Sequence, residues 1–304
     1  MPSTIRSSAR PGTGETRAVA ALLFGSTLWG LYWFPLRLLD YAGLSGLWAL
    51  TLVYLGASLV LLVPARRELR PWRRSLPAMA GIGVSGAISG IAFGLGVIDG
   101  EVARVLILFY LAPVWSVLLA RFVLRERLTA TTLSALAVAL AGAAVMLIGS
   151  NPDGLGGFAP ADILGLLAGV GFAVTNLQLR AGRSLPLSLK ALASAYLVPP
   201  LAIVSAFVLE VPLAASAAAV FGALLLGVLW MSTMLVTVQV GVRALPLQRS
   251  SVLLLFELVV GAVSAALIAG ETLGPWELAG GLAIVGAGVV VASRGAGARS
   301  GADG

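Results

Sequence analysis

Ten long apolar runs constrain the fold of this chain more than any other feature. Each run is about 20 residues long, which is the length that an α-helix needs to cross the ~30 Å hydrocarbon core of a bilayer. A membrane β-barrel would instead require short segments of alternating polarity. The sequence therefore predicts an all-α membrane protein with ten transmembrane helices. The predicted helices are 18–39, 45–63, 76–98, 102–123, 129–149, 161–182, 189–210, 216–241, 248–269 and 275–293.

The composition agrees with this fold and excludes several kinds of chemistry. Hydrophobic residues make up 59% of the chain and charged residues 11%, against roughly half and a quarter in soluble domains. The chain has no cysteine, which excludes disulfides and thiolate chemistry, and no histidine, the commonest metal ligand. We therefore expect neither a cofactor nor a metal ion. A membrane-embedded enzyme is disfavoured, since such a site needs paired carboxylates or clustered metal ligands.

The charged residues indicate which way the helices run. If the N-terminus lies inside the cell, all of the 20 lysines and arginines except Arg37 and Arg104 fall on the cytoplasmic side. The acids Asp40, Asp99, Glu101, Asp153, Asp162, Glu210, Glu271 and Glu277 fall outside. This bias follows the positive-inside rule. It predicts a protein of the cell inner membrane with cytoplasmic tails at 1–17 and 294–304, and it explains the net charge of +7 without nucleic-acid binding.

The second half of the chain repeats the first. Matching segments are VLILFYL (105–111) with VLLLFEL (252–258), RERLTATTL (125–133) with GETLGPWEL (270–278), and LWGLYWFPLR (28–37) with GFAVTNLQLR (171–180). Five helices in each copy is an odd number, so the second copy enters the membrane from the opposite side. The predicted repeats are 18–149 and 161–293. Inverted repeats are a transporter architecture, with the substrate held near the midplane between the halves.

The run FGLGVIDGEVARVLILFYLAPVWSVLLARFVLRERLT (93–129) resembles the third and fourth helices of drug/metabolite transporter (EamA) domains. Those domains carry a proline in the fourth helix and a glutamate–leucine pair just after it. The matching residues are Pro113, Glu126 and Leu128 in the first copy, and Glu271 and Leu273 in the second. The second copy departs from the pattern with Val260 at the proline position. The resemblance implies a ten-helix exporter of small metabolites, and within the family the aromatics are most similar to YddG-type aromatic amino acid exporters.

Polar residues inside the predicted helices are the candidates for a substrate site, because such groups are costly in a bilayer unless they pair or line a cavity. Glu257 lies near the middle of the ninth helix. It can bind a substrate ammonium or a coupling proton, or it can be a protonated glutamate that bonds a neighbouring helix. Its counterpart in the repeat is Tyr110, either a cavity hydroxyl or a packing residue. Trp33 and Asn176 form a second repeat pair that suits an aromatic amino acid, although asparagine also joins helices.

Two helix stripes and four prolines complete the predicted site. The stripe residues are Ser85, Ser89 and Phe93 on the third helix, and Trp230, Thr233 and Thr237 on the eighth. Such stripes alternate apolar wall and hydroxyl donor, although serine and threonine also bond to their own helix backbone. The prolines Pro35, Pro113, Pro199 and Pro200 are predicted kinks or hinges.

Together these features predict a secondary transporter that exports small metabolites, amino acids above all, by alternating access. Its partners are then a small-molecule substrate and the lipid bilayer. No Walker motif is present to bind ATP. The alternatives are an exporter of other metabolites or drug-like cations, and a facilitator without a coupled ion.

Overall fold

The computed structural model describes residues 13–69, 75–123, 130–149, 159–181, 185–245, 253–254 and 256–294. These residues form helices joined by short turns, and no strand occurs among them. The helices are α1 Thr13–Gly30, α2 Trp33–Tyr41, α3 Gly46–Leu69, α4 Leu76–Asp99, α5 Val102–Phe109, α6 Ala112–Val123, α7 Ala130–Gly149, α8 Pro160–Ala181, α9 Leu187–Ala193, α10 Val198–Val208, α11 Ala217–Leu226, α12 Ser232–Ala244, α13 Phe256–Ser264 and α14 Pro275–Arg294. Two π-helices, Gly227–Met231 and Ala265–Ala269, follow α11 and α13.

Seven helical stretches of the described chain are long and apolar enough to cross a membrane. They are Thr16–Tyr41, Gly46–Leu69, Leu76–Asp99, Val102–Val123, Pro160–Leu179, Leu187–Val208 and Ala217–Gly241. Shorter apolar helices, Leu133–Val145 and Phe256–Ala269, lie in the fifth and ninth predicted segments, and α14 coincides with the tenth. The all-helical fold is thus confirmed for the described residues, with seven candidate membrane spans, while the count of ten crossings stays a prediction.

Some of the predicted features lie outside the described residues. These include Glu126 and Leu128 of the family motif, Asp153, most of both predicted tails (1–12 and 295–304), and 248–252 and 255 of the ninth segment.

Three membrane-spanning stretches are interrupted just before the prolines noted in the sequence. The interruptions lie at 31–32, 110–111 and 194–197. The next prolines along the chain are Pro35, Pro113, and the pair Pro199 and Pro200. Proline lacks the N–H that a helix needs, and its ring clashes with the carbonyl four residues earlier. That carbonyl lies in or beside each interruption, so local sequence explains where the helices break. Hinge motion at these prolines stays a prediction.

The helices of the two halves of the chain pack in corresponding pairs. The main packed pairs are α4 with α8, α1 with α12, α3 with α10, α7 with α14, α8 with α5 and α6, and α1 with α13. Exchanging each helix for its counterpart in the other predicted repeat returns the same set of pairs. Two groups result, and each takes one helix from the other half. We name them the Phe93 group (α4, α5, α6 and α8) and the Glu257 group (α1, its continuation α2, α12 and α13).

Glycines allow the helices within each group to touch along their backbones. In the Phe93 group, a methyl group at Gly171 would lie 3.0 Å from the Ser89 nitrogen. In the Glu257 group, a methyl group at Gly30 would lie 2.6 Å from the Glu257 carbonyl oxygen and 2.9 Å from the Gly261 nitrogen. Such close contact is the usual role of small residues in membrane helices. It places Glu257 directly beside the interruption that follows α1.

Candidate functional site

A buried carboxylate and a phenol meet at the interruption between α5 and α6. Glu257 lies in the first turn of α13 and is only 7% exposed. Tyr110 follows the last residue of α5; its hydroxyl donates to the Leu254 carbonyl at 3.1 Å and lies within hydrogen-bonding reach of the Glu257 carboxylate. A tyrosine hydroxyl has one proton and can also accept. When that proton is engaged by Leu254, a protonated Glu257 can donate to the Tyr110 oxygen. The structure thus brings this repeat pair together.

An aromatic cluster leads from the Glu257 group to Tyr110. Ring centroids lie 6.1 Å apart for Trp29 and Tyr32, 6.3 Å for Trp29 and Phe93, 5.3 Å for Phe93 and Phe109, and 5.7 Å for Phe109 and Tyr110. These four contacts are edge-to-face, the geometry that aromatic quadrupoles favour. Phe93 is therefore part of an aromatic wall that spans the two groups. The predicted stripe on the third helix thus ends at this wall.

Trp33 begins α2, immediately after the interruption in the first span, and is 3% exposed. Its indole Nε1 donates to the Ser264 hydroxyl at 3.0 Å, and that hydroxyl donates to the Gly261 carbonyl at 3.0 Å. The Arg37 guanidinium lies 5.1 Å from the centroid of the Trp33 ring. Trp33 is therefore held on one edge by α13 and on one face by a cation.

The predicted serine stripe of α4 faces α8 and is engaged there. Ser89 donates to the Ala168 carbonyl at 2.9 Å. The Thr175 hydroxyl lies 2.8 Å from the Ser85 hydroxyl and 2.9 Å from the Gly171 carbonyl, and Ser85 also reaches the Gly81 carbonyl at 3.1 Å. These contacts stabilise the close approach of α4 and α8. In this structure both serines join α4 to α8, and Ser85 also bonds to its own helix backbone, the alternative that the sequence left open.

Among the remaining predicted residues, Trp230 and Thr237 bond to helix backbone, whereas the Asn176 side chain makes no hydrogen bond to the described residues. Trp230, in the first π-helix, donates its Nε1 proton to the Leu28 carbonyl at 3.1 Å. Thr237 donates to the Thr233 carbonyl of its own helix at 2.8 Å, and the half-buried Thr233 lies one turn before it. Asn176 is half-buried, and its side-chain amide makes no hydrogen bond to another described residue. The carboxamide is thus available to a ligand.

Two ion pairs lie together at the end of the bundle that carries Arg37. Arg37 Nη2 and Glu271 Oε1 are 3.1 Å apart, and both side chains are largely buried. Arg104 forms a bidentate pair with Asp162, at 2.7 Å from Nε and 2.9 Å from Nη2. Between them is a cavity of about 470 Å³, lined by residues that include both pairs together with Asp99 and Glu101. Sequence analysis used Arg37, Arg104 and Asp162 for topology, used Glu271 for topology and the family motif, and missed these contacts.

The signal for the ion pairs was nevertheless present in the sequence. Arg37 and Arg104 are the two basic residues on the side predicted to be outside, where acidic residues collect. An isolated cation near the end of an apolar helix requires a partner. Ser264 and Thr175 were also missed, and their hydroxyls carry no such signal.

Residues 16–148 match the model of the EamA-like transporter family. Among curated proteins no match is found. A solved structure, described only as the crystal structure of a protein, aligns with 91% of this chain and 98% of its own, with a TM-score of 0.56 and 18% sequence identity. At that identity the likeness concerns the fold alone. The first half of the chain is therefore similar to a transporter family, and neither match carries a substrate.

Proposed function

We propose that this protein is a secondary transporter that exports small metabolites, above all aromatic or apolar amino acids, across the cell inner membrane. Three observations support the proposal. Residues 16–148 are similar to a transporter family, seven described helical stretches can cross a bilayer, and a carboxylate is buried at the centre of the helix bundle. A small-molecule substrate and the lipid bilayer are the partners that this function requires.

The proposed architecture is ten crossing helices in two inverted repeats, 18–149 and 161–293, with both termini in the cytoplasm. The corresponding helix pairs support the repeats, because a pseudo-twofold axis in the membrane plane would map each pair onto its counterpart. The distribution of basic residues supports the orientation. Transport by alternating access then consists of rocking the Phe93 group against the Glu257 group.

The buried Glu257 beside Tyr110 is the observation that carries the proposal. A carboxylate among apolar helices is costly and is retained where a function needs it. Here it lies at the end of an aromatic cluster, beside interruptions in two spans that free backbone groups. An ammonium group bound by Glu257 would leave an aromatic side chain against Trp29 and Phe93. The same carboxylate can exchange its ammonium for a proton, which couples export to a proton gradient.

The other predicted residues take secondary places in this site. Asn176 offers a free carboxamide to a substrate carboxylate. Trp33 is held against Ser264 and lies two helical turns from Glu257 along the surface of α13. Trp230, Thr233 and Thr237 line the eighth helix, which packs on α1. Ser85 and Ser89 belong to the site only if α4 and α8 separate during transport.

Flux in proteoliposomes tests the proposal. Purified protein is reconstituted, and uptake of phenylalanine, tryptophan, methionine, threonine and a charged amino acid is measured with and without a pH gradient. Glu257→Gln is compared with Glu68→Gln, whose carboxylate accepts a hydrogen bond from Ser188 far from the aromatic cluster. We expect saturable flux of the aromatic and apolar amino acids, and loss of its gradient dependence in Glu257→Gln alone.

The other outcomes separate the alternatives. Gradient-dependent flux that survives in Glu257→Gln excludes this residue as the coupling group. Flux that is indifferent to pH in the parent protein identifies a facilitator. The absence of flux for every amino acid tested excludes amino acid export and points to other metabolites or drug-like cations.

A further inference from the structure

The Phe93 group and the Glu257 group pack on each other at the end of the bundle that carries Arg37. At the Arg37 end, α2 packs on α4, and α13 packs on α5. Near the interruptions, the Trp29 ring on α1 contacts the Phe93 ring on α4, and the Tyr110 hydroxyl donates to the Leu254 carbonyl. The described residues thus close the two groups against each other at the Arg37 end.

The closed end is held by what we name the Arg37 clasp, the ion pair of Arg37 and Glu271 on the turn at 97–103. Arg37 Nε donates to the Val97 carbonyl at 2.9 Å, and Nη2 donates to the Gly100 carbonyl at 2.5 Å. The Glu271 carboxylate accepts from the Val102 nitrogen at 3.1 Å and the Ala103 nitrogen at 3.3 Å. The guanidinium thus caps the end of α4, and the carboxylate caps the start of α5, each with the charge that its helix end favours.

Both charges of the clasp come from the Glu257 group, whereas the turn that they hold belongs to the Phe93 group. Arg37 lies in α2, and Glu271 follows the π-helix that continues α13. The residue before α5, Glu101, makes no side-chain cap of its own. The hydrogen bonds of the clasp to the turn therefore join the two groups, while the ion pair itself lies within one of them.

The second ion pair has a different role. Arg104 is in α5 and Asp162 is in α8, so both belong to the Phe93 group. Asp162 also accepts a hydrogen bond from the Ala159 nitrogen at 2.9 Å at the start of its own helix. This pair therefore braces one group internally and need not break when the two groups separate.

The clasp is connected to the candidate site by two short paths. Arg37 lies over the face of Trp33, whose indole bonds Ser264 on α13. The π-helix Ala265–Ala269 links Ser264 to Glu271 and ends at Gly270, which has a left-handed φ of 70°. Glu257 thus lies on the continuous helical stretch 256–269, and Glu271 follows two residues after its end. Helices of the π type occur frequently at functional sites.

We propose that the Arg37 clasp is the outer gate of this transporter, closed in this structure, and that it opens by releasing the turn at 97–103 with its ion pair intact. The proposal rests on the proposed function. Arg104 and Asp162 stay paired in both states. Movement of Trp33 or of α13 on substrate binding loosens the clasp, so occupancy of the site and opening of the gate are coupled.

Cysteine accessibility tests the gate, and the absence of cysteine from the natural sequence makes the parent chain a clean background. Ala265→Cys serves as the reporter, because Ala265 is fully buried and its carbonyl accepts from the Glu271 nitrogen at 3.2 Å. The full chain is reconstituted, and a membrane-impermeant thiol reagent is added from the Arg37 side. The rate of modification is measured in the parent reporter, Ala265→Cys alone, and in that reporter combined with Arg37→Gln, with Glu271→Gln or with the matched control Arg104→Gln.

We expect the rate to rise at least about tenfold in Arg37→Gln and in Glu271→Gln, since each removes charge-assisted bonds that join the groups. Arg37→Lys keeps the charge without the planar fork and should give an intermediate rate. The rate in Arg104→Gln should stay within about twofold of the parent. An equal rise in Arg104→Gln, or no rise in Arg37→Gln, overturns the proposal. Size-exclusion profiles confirm that each variant is folded.

This measurement needs no transported substrate, so its outcome is independent of the flux assay. Modification rates that fail the expectation while flux persists reject the gate and leave the transporter. If the modification rates meet the expectation but no flux is measurable, the movement of the clasp is supported and the proposed substrates are rejected.

Discussion

Tyr110 and Glu257 occupy matching positions of two similar segments, VLILFYL and VLLLFEL, and their side chains lie within hydrogen-bonding reach of each other. One residue comes from each half of the chain. Inverted repeats bring equivalent positions together at their pseudo-symmetry axis, so this contact supports the proposed repeats. It lies beside interruptions in the first and fourth spans, where α1 and α5 end.

Replacing Tyr110 tests whether the pair acts as a unit. Tyr110→Phe keeps the ring of the aromatic cluster and removes the hydroxyl, so we expect flux to fall severalfold while the thermal unfolding midpoint changes little. In a double-mutant cycle with Glu257→Gln, the two losses should be strongly non-additive. Flux at saturating substrate is measured in the parent, in the two single variants and in the double variant. Additive losses contradict a shared role.

How far the sequence predicts this fold depends on how local each feature is. The membrane helices are predictable because length and apolarity are properties of one segment. The interruptions near Pro35 and Pro113 are predictable because proline acts on the carbonyl four residues earlier. Repeat matching identified Tyr110 as the counterpart of Glu257, and the structure places the two side chains together.

Features that depend on which face of a helix contacts which neighbouring helix could not be predicted from the sequence. Ser85 and Ser89 lie on the stripe that was predicted, yet the stripe faces α8, and a single sequence does not indicate that direction. The partners of Arg37 and Arg104 lie 234 and 58 residues further along the chain. Their charges were noted, but the pairing depends on helix ends that only the folded bundle brings together.

Gly171 is expected to be intolerant of a side chain. A methyl group there would lie 3.0 Å from the Ser89 nitrogen and 3.1 Å from the Ser85 carbonyl oxygen, which is tighter than ordinary packing. Gly171→Ala should therefore push α8 from α4 and reduce stability by about 1–3 kcal/mol. Denaturant unfolding in detergent measures the loss. Gly286→Ala is the matched control, because nothing lies within 4 Å of the added methyl group, and an equal loss there would contradict the packing argument.

Asp162 is expected to matter for stability far more than an exposed acid on the same side. Its side chain is 1% exposed and pairs with Arg104 in a bidentate geometry while it accepts from the Ala159 nitrogen. Asp162→Asn leaves a buried guanidinium without its counter-charge, which should cost about 3 kcal/mol. The exposed Asp40→Asn should cost little. The unfolding midpoints of the two variants test this expectation. Similar midpoints would show that the ion pair of Asp162 and Arg104 does not stabilise the fold.

Trp33 and Ser264 are expected to be coupled through the indole hydrogen bond alone. In the parent protein, Ser264→Ala leaves the buried indole N–H without an acceptor, and such an unpaired donor costs about 1–3 kcal/mol. In a Trp33→Phe background the donor is already absent, while the Ser264 hydroxyl keeps the Gly261 carbonyl as its partner. Ser264→Ala should then cost only a few tenths of a kcal/mol. Unfolding free energies of the four proteins measure the coupling. A cost for Ser264→Ala that is the same in both backgrounds would show that the bond does not hold α2 to α13, and the path from the clasp to Glu257 would then have to run through the π-helix.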